Sequence, residues 1–183
     1  MSLLRRRKLP AERRPELDDD ERIVAWAAVA RSGPRDEATG DEVVVLTTRG
    51  IWLPGAGSRL GWHEIHKATW SGRQLTLVAS REVSATEDYV VVADQPAEVY
   101  TLPDPDAVPA QVHTRVTKSI AYTRHHPLDT DGGVRVVARR VPGVNGLTWT
   151  VRYDEGVDPA AAGVAEATAE LVAYGRSSLQ GPT

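Results

Sequence analysis

Three groups of side chains in this 183-residue chain could do chemistry. The first is His63, Glu64 and His66, in a stretch that also holds Trp52, Trp62 and Trp70. Imidazoles and a carboxylate this close suit metal ligation or acid–base work. On a strand, however, alternate side chains point to opposite faces, so His63 and His66 diverge and only Glu64 and His66 share a side. Two ligands do not make a transition-metal site. This stretch therefore reads mostly as barrel wall, with Leu60, Trp62 and Glu64 on one side and Gly61, His63 and Ile65 on the other. The second group is His125, His126, Asp129 and Asp131 in "HHPLDTD", where imidazole and carboxylates could gather around a cation. Gly132 and Gly133 mark a loop there, and polar residues at a helix end also serve solvation and capping. The third is Arg135, Arg139, Arg140 and Arg152. Arg135 and Arg139 share one strand face and Arg152 can lie across from them, a grouping able to hold a phosphate, an acidic partner or RNA. The alternative is an exposed hairpin face paired locally with Asp154 and Glu155.

Other reactive patterns are missing. There are no cysteines, so disulfides, thiolate metal sites and cysteine nucleophiles are excluded. No serine lies in a G-x-S-x-G elbow. "TRG" at 48–50 and "GAG" at 55–57 lack the spacing and downstream helix of a phosphate loop, and "GVNG" at 143–146 reads as a hairpin turn. No cofactor is expected, and chelation is expected to leave stability unchanged.

The elements that position these residues follow from periodicity. Residues 1–21 read as a charged, solvated arm, with Pro10 and Pro15 limiting any helix. The basic residues Arg5 to Lys8, Arg13 and Arg14 precede acidic Asp18 to Glu21, which offset their field. Residues 22–30, 42–50, 51–55, 59–65, 66–70, 74–80, 88–93 and 98–102 read as strands of a meander. "SGR" is a hairpin turn. Val108, Val112, Val116 and Ile120 then recur every four residues, predicting a helix over about 106–124 with Asp104 or Asp106 as cap and Pro105 or Pro109 in its first turn. Arg124, His125 and His126 would close it. A hairpin follows, in which Leu147, Trp149, Val151 and Tyr153 form a dry face against Thr148, Thr150 and Arg152. The last element is a helix with Val164, Thr168, Leu171, Val172 and Gly175 on one side.

Composition narrows the setting. The net charge is −3, too small to gather nucleic acid by the whole-molecule field. Nineteen Arg against three Lys, with many Ala, Val and Gly, fits a GC-rich bacterial genome. Phe is absent, so the aromatic core must come from five Trp and five Tyr. No stretch reaches the ~18 apolar residues of a membrane span, and the basic N-terminus lacks the apolar segment of a signal peptide. A cytoplasmic protein is expected.

"VVVLTTRGIWL", then "SRLGWHEIHKATWSGRQLTLV", then a helix resembles the bacterial pleckstrin-homology-like, GRAM-type module over about residues 22–125. The whole chain resembles a group of actinobacterial proteins. The resemblance implies an α+β fold: an antiparallel β-barrel of about seven strands over 22–128, capped by a helix. Residues 129–183 would add a β-hairpin and helix packed on the barrel. It also implies a non-catalytic binding or assembly module, with a protein partner or self-association ahead of nucleic acid, and the apolar faces of the C-terminal hairpin and helix could pair with a second copy as a homodimer. Lipid-binding members gather basic residues on the first hairpin loop. Here Arg31 and Arg35 are opposed by Asp36, Glu37, Asp41 and Glu42, so phosphoinositide binding is not expected. The rival readings are a metal-dependent enzyme using His125, His126 and Asp129, and an RNA or anionic-membrane binder using the Arg-rich arm and hairpin.

Overall fold

The computed structural model describes residues 8–30, 42–129 and 132–180. The fold is α+β, with two sheets and two helices. The first sheet has the order β1-β2-β3-β4, formed by Ile23–Ala28, Val43–Thr47, Gly50–Trp52 and Leu60–Gly61. Its centre, Val44 to Thr47, is a run of buried β-branched and aliphatic residues, which is why it holds a strand so firmly. Gly50 is dictated by proximity. A Cβ there would sit 2.3 Å from the Leu60 carbonyl oxygen, so "TRG" closes a hairpin against β4.

The second sheet is larger and strongly curled into a half-barrel. Its order is β5-β6-β7-β11-β10-β9, and β8 also pairs with β6. These strands are β5 (Ile65–Ser71), β6 (Gln74–Ala85), β7 (Val90–Asp94), β8 (Glu98–Thr101), β9 (Ile120–Pro127), β10 (Gly133–Arg139) and β11 (Thr148–Tyr153). β6 is long enough to pair with β8 along Gln74–Leu77 and with β7 along Ser80–Ala85. A bulge between Glu82 and Ser84 adds to the local twist. β11 joins β7 in parallel, the one parallel pairing among the described residues, so the sheet is mixed.

Helix α1, Val108–Ser119, packs on β1, β2, β5 and β9. Val108 and Val112 are buried at its centre, and Val116 packs at the edge of the same core with Leu46, Ile51, Ile65 and Leu77. Pro109 stands in its first turn, as expected, while the N-cap is Ala107 and no side chain caps it. Helix α2, Val164–Gln180, buries Val164, Thr168, Val172 and Gly175. It covers a second core of Val134, Val136, Ala138, Trp149 and Val151. No helix among the described residues is long and apolar enough to cross a membrane.

Gly175 lets α2 approach the sheet. A Cβ at this position would lie 2.8 Å from Trp149 Cζ3 and 3.2 Å from Tyr122 Cε1. Gly175→Val should therefore push the helix outward and cost about 1–3 kcal/mol, the usual range for overpacking. A denaturant melt checks this, and an unchanged midpoint would contradict the close packing.

Three local expectations are corrected. Helix α1 ends at Ser119, and Arg124, His125 and His126 lie on β9 instead of a helix end. Ile120 onward finds backbone partners on β10, and tertiary pairing overrides the helical period. Second, 59–65 is not one alternating strand. After β4 comes a single 3-10 turn, Trp62–Glu64, in which the Gly61 N–H donates to Glu64 Oε2 at 2.6 Å. Residues three apart coincide in such a turn, so Trp62 and Ile65 both face the core. Third, the acidic end of the arm is docked, not solvated. Glu21 is buried with bonds from Thr47 and Arg59, and Arg49 donates to Asp18 at 2.9 Å and to Asp20 at 2.6 Å. Leu9 is buried too. Arg5 to Arg7, and Arg31, Arg35, Asp36, Glu37 and Asp41 of the first loop, lie outside the described residues.

Candidate functional site

Strand alternation builds the site from the C-terminal hairpin. Val134, Val136 and Ala138 of β10 and Trp149 and Val151 of β11 turn to α2, which leaves Arg135, Val137, Arg139, Thr150 and Arg152 on the opposite face. The register sets Arg135 directly across from Arg152 and Val137 across from Thr150. On the other side of β10, Thr123 of β9 stands beside Val137. The curl of the sheet brings His66 of β5 and Val92 of β7 toward the same space, a cavity of about 290 Å³ that Ile120 also lines. The dry and wet faces expected of this hairpin are both present.

The arginines differ in what they touch. Arg135 forms no hydrogen bond or ion pair with a described residue, though the Asp154 carboxylate lies within its field. Arg152 donates to Asp94 Oδ2 at 2.5 Å. Arg139 is only 5% exposed. It donates to Ser119 Oγ at 2.8 Å, to the Ile65 carbonyl at 3.0 Å and more weakly to the Trp62 carbonyl at 3.5 Å. All three acceptors are neutral, and burial pulls its pKa down from the ordinary guanidinium value. It remains a cation, since guanidinium does not deprotonate in proteins. Arg140 points elsewhere, donating to the Lys118 carbonyl at 3.3 Å and the Ile120 carbonyl at 3.5 Å. It does not line the cavity.

Two like charges set directly opposite on neighbouring strands destabilise a sheet. A buried charge without a counter-charge is costlier still. Arg135 with Arg152, and Arg139 alone, present both costs around one cavity.

His66, which lines the cavity, and Asp94, which binds it and Arg152, form a pair that residue spacing does not reveal, because they lie on different strands 28 positions apart. His66 Nδ1 and Asp94 Oδ1 are 2.6 Å apart. Burial depresses the His66 pKa, and the charges of Arg152 and Arg139 add to that, against the opposing pull of Asp94. The neutral ring then donates Nδ1–H to the carboxylate. Asp94 is held below its ordinary pKa: burial opposes this, but bonds from His66 and Arg152 outweigh it. Asp94 thus shares its single charge between two cavity groups.

His63 and His126 are likewise held below the ordinary imidazole value, chiefly by burial. The folded protein therefore binds fewer protons at these three rings than the unfolded chain does. Their contribution to stability is complete above about pH 6.5 and is lost as pH falls through the lower folded values. Melts between pH 8 and pH 5 should show a flat region followed by an acid-side decline. A melting temperature that rises below pH 6.5 would contradict the assignment.

The remaining groups are dispersed. His125 and His126 sit on opposite faces of β9. His125 Nε2 contacts Asp154 Oδ2 at 2.8 Å, while His126 is buried on the α2 side with Nε2 unpartnered. Asp129 follows the strand end, and Asp131 lies outside the described residues. Glu64 is engaged by the Gly61 N–H and not by His66. Among the described residues, no group of three His, Asp or Glu is placed to hold a metal ion. No family model, curated protein or solved structure matches the chain.

Proposed function

We propose that this protein is a cytoplasmic, non-catalytic binding module whose ligand surface is the cavity lined by Arg135, Arg139 and Arg152. The observation that carries this reading is the convergence of three guanidiniums on one cavity with Asp94 the only carboxylate bonded to any of them among the described residues. An anion placed there would compensate charge that the protein leaves uncompensated. On this reading the framework is pleckstrin-homology-like. A four-stranded sheet, a second sheet and helix α1 around one core support it, with residues 129–183 as an extension that supplies most of the cavity wall.

The test is thermal stability in matched ionic strength with chloride, sulfate, phosphate, citrate or a short single-stranded RNA. A ligand that binds only the folded state raises the melting temperature. At least one multivalent anion should do so for the native protein and fail for the Arg135→Ala/Arg152→Ala double variant. Equal shifts in both proteins would defeat the proposal.

A second reading, assembly with a protein partner or a second copy, draws on the outer side of α2, where Tyr174 is 53% and Leu179 is 44% exposed. Light scattering distinguishes it: a dimer that Tyr174→Glu dissociates would favour assembly.

A further inference from the structure

Resting on the anion-binding reading, we propose that the cavity takes the dianionic phosphoryl group of a small phosphate monoester, held between Arg135 and Arg152 with Arg139 supplying long-range charge. Charge is the first argument. Three guanidiniums face one bonded carboxylate, Asp94, which leaves two positive charges to be met within the cavity. A phosphate monoester carries about −1.5 to −2 at neutral pH, whereas a carboxylate or a phosphodiester carries one charge. A monoanion would leave a poorly hydrated cation behind.

Position is the second argument. Arg135 and Arg152 are directly opposed on neighbouring strands, where Cα atoms lie about 4.5–5.5 Å apart. Two guanidinium forks springing from one level of the sheet can bracket a single tetrahedral oxyanion, each offering paired N–H donors. The Arg135 side chain has no bond to another described residue to give up. Arg152 keeps Asp94, whose side chain is 43% exposed and holds the guanidinium in place while leaving its other N–H groups available. The Thr150 hydroxyl stands two residues from Arg152 on the same face.

Size is the third argument. At about 290 Å³ the cavity lies at the small end of ligand sites, which run roughly 300–1,000 Å³. Val92, Ile120 and Val137 supply an apolar lining for the carbon part of such an ester. The same phosphoryl chemistry could be presented by a soluble metabolite or by a lipid headgroup, and the test separates these sources.

Titration calorimetry of the full chain at pH 7.5 would use inorganic phosphate, glycerol phosphate, dimethyl phosphate and acetate as probes. Vesicles containing phosphatidate form a separate arm. Glycerol phosphate should bind at least tenfold more tightly than dimethyl phosphate, which has the same tetrahedral centre with one charge fewer. Arg135→Ala and Arg152→Ala should each weaken binding at least tenfold, while Arg140→Ala, outside the cavity, leaves it unchanged. Asp94→Asn, which removes the competing carboxylate, should strengthen binding several-fold. Melting curves of the variants confirm that each is folded. Arginine-dependent binding in solution identifies a soluble ester; arginine-dependent binding to vesicles alone identifies a lipid headgroup. Binding of acetate or dimethyl phosphate as tight as that of glycerol phosphate overturns the phosphoryl proposal but keeps the anion site. No arginine-dependent binding of any anion, in solution or on vesicles, removes both.

Discussion

Trp62→Ala should destabilise the protein by about 3–5 kcal/mol, the range for deleting a fully buried large aromatic side chain. The ring is 4% exposed and lies in the core shared by the first sheet, β5, β6 and α1. Its Nε1–H donates to the Thr47 carbonyl at 3.1 Å, tying the 3-10 turn back to the end of β2. Truncation would therefore remove packing and leave a buried carbonyl without its donor, and the turn leading into β5 would lose its anchor. For a chain of this length, about 2–4 °C of melting temperature accompanies each kcal/mol, so a fall near 10 °C is expected. Equilibrium denaturation read by tryptophan fluorescence and by circular dichroism measures it. A fall below about 2 °C would mean that the ring contributes surface and not core. Trp149, at 7% exposure, fills the equivalent position under α2, whereas Trp52, at the end of β3, is only partly covered.

Arg139→Ala is the second large effect, about 3 kcal/mol, and its cause is different. The guanidinium reaches from β10 to the Ile65 carbonyl and the Ser119 hydroxyl, so it fastens the C-terminal hairpin to the start of β5 and the end of α1. Each buried acceptor left unsatisfied costs about 1–3 kcal/mol. Relief of the desolvation of the charge offsets part of this, so the sum falls short of the individual costs. Arg139→Lys should recover only part of the loss, because an ammonium cannot reproduce the planar fork. Hydrogen exchange locates the effect: β9, β10 and β11 should lose protection before β1 and β2. Uniform loss across both cores, or none, would show that Arg139 does not join them.

Most of the first eight strands were legible because each carries a short apolar or alternating run bounded by Gly, Pro or charge, whereas 59–65 shortens to Leu60–Gly61 and β6 runs on to Ala85. Helix α2 was legible through Val164, Thr168, Val172 and Gly175, all of which are buried. The end of α1 was not. Ile120 continues the four-residue spacing of Val108, Val112 and Val116, and only its pairing with Arg139 makes it a strand residue. The arginine face could be read from the two-residue period of the hairpin, including the opposition of Arg135 and Arg152. That period cannot show which guanidinium is buried, and it gives no hint that Arg140, one step further, turns away to Lys118. His66 and Asp94 meet through the curl of the sheet, which no local pattern encodes. The docking of Glu21 was hidden for the same reason, since Arg59 and Thr47 lie far along the chain.

The parallel pairing of β11 with β7 also bears on the order of assembly. Thr150 meets Val90 across about sixty intervening residues, and closing a loop of that size yields little until the strand receiving it already exists. β9, β10 and β11 form a three-stranded antiparallel unit with its own apolar face, and β11 leaves its outer edge for the β7 edge to receive. During synthesis the N-terminal core can condense first, leaving the β7 edge open until β11 emerges to pair with it. That interval exposes unpaired amides and the apolar side chains of Val91 and Tyr89, a surface on which a neighbouring nascent chain could pair. In the folded protein β11 pairs with that edge and α2 covers the apolar face beside it.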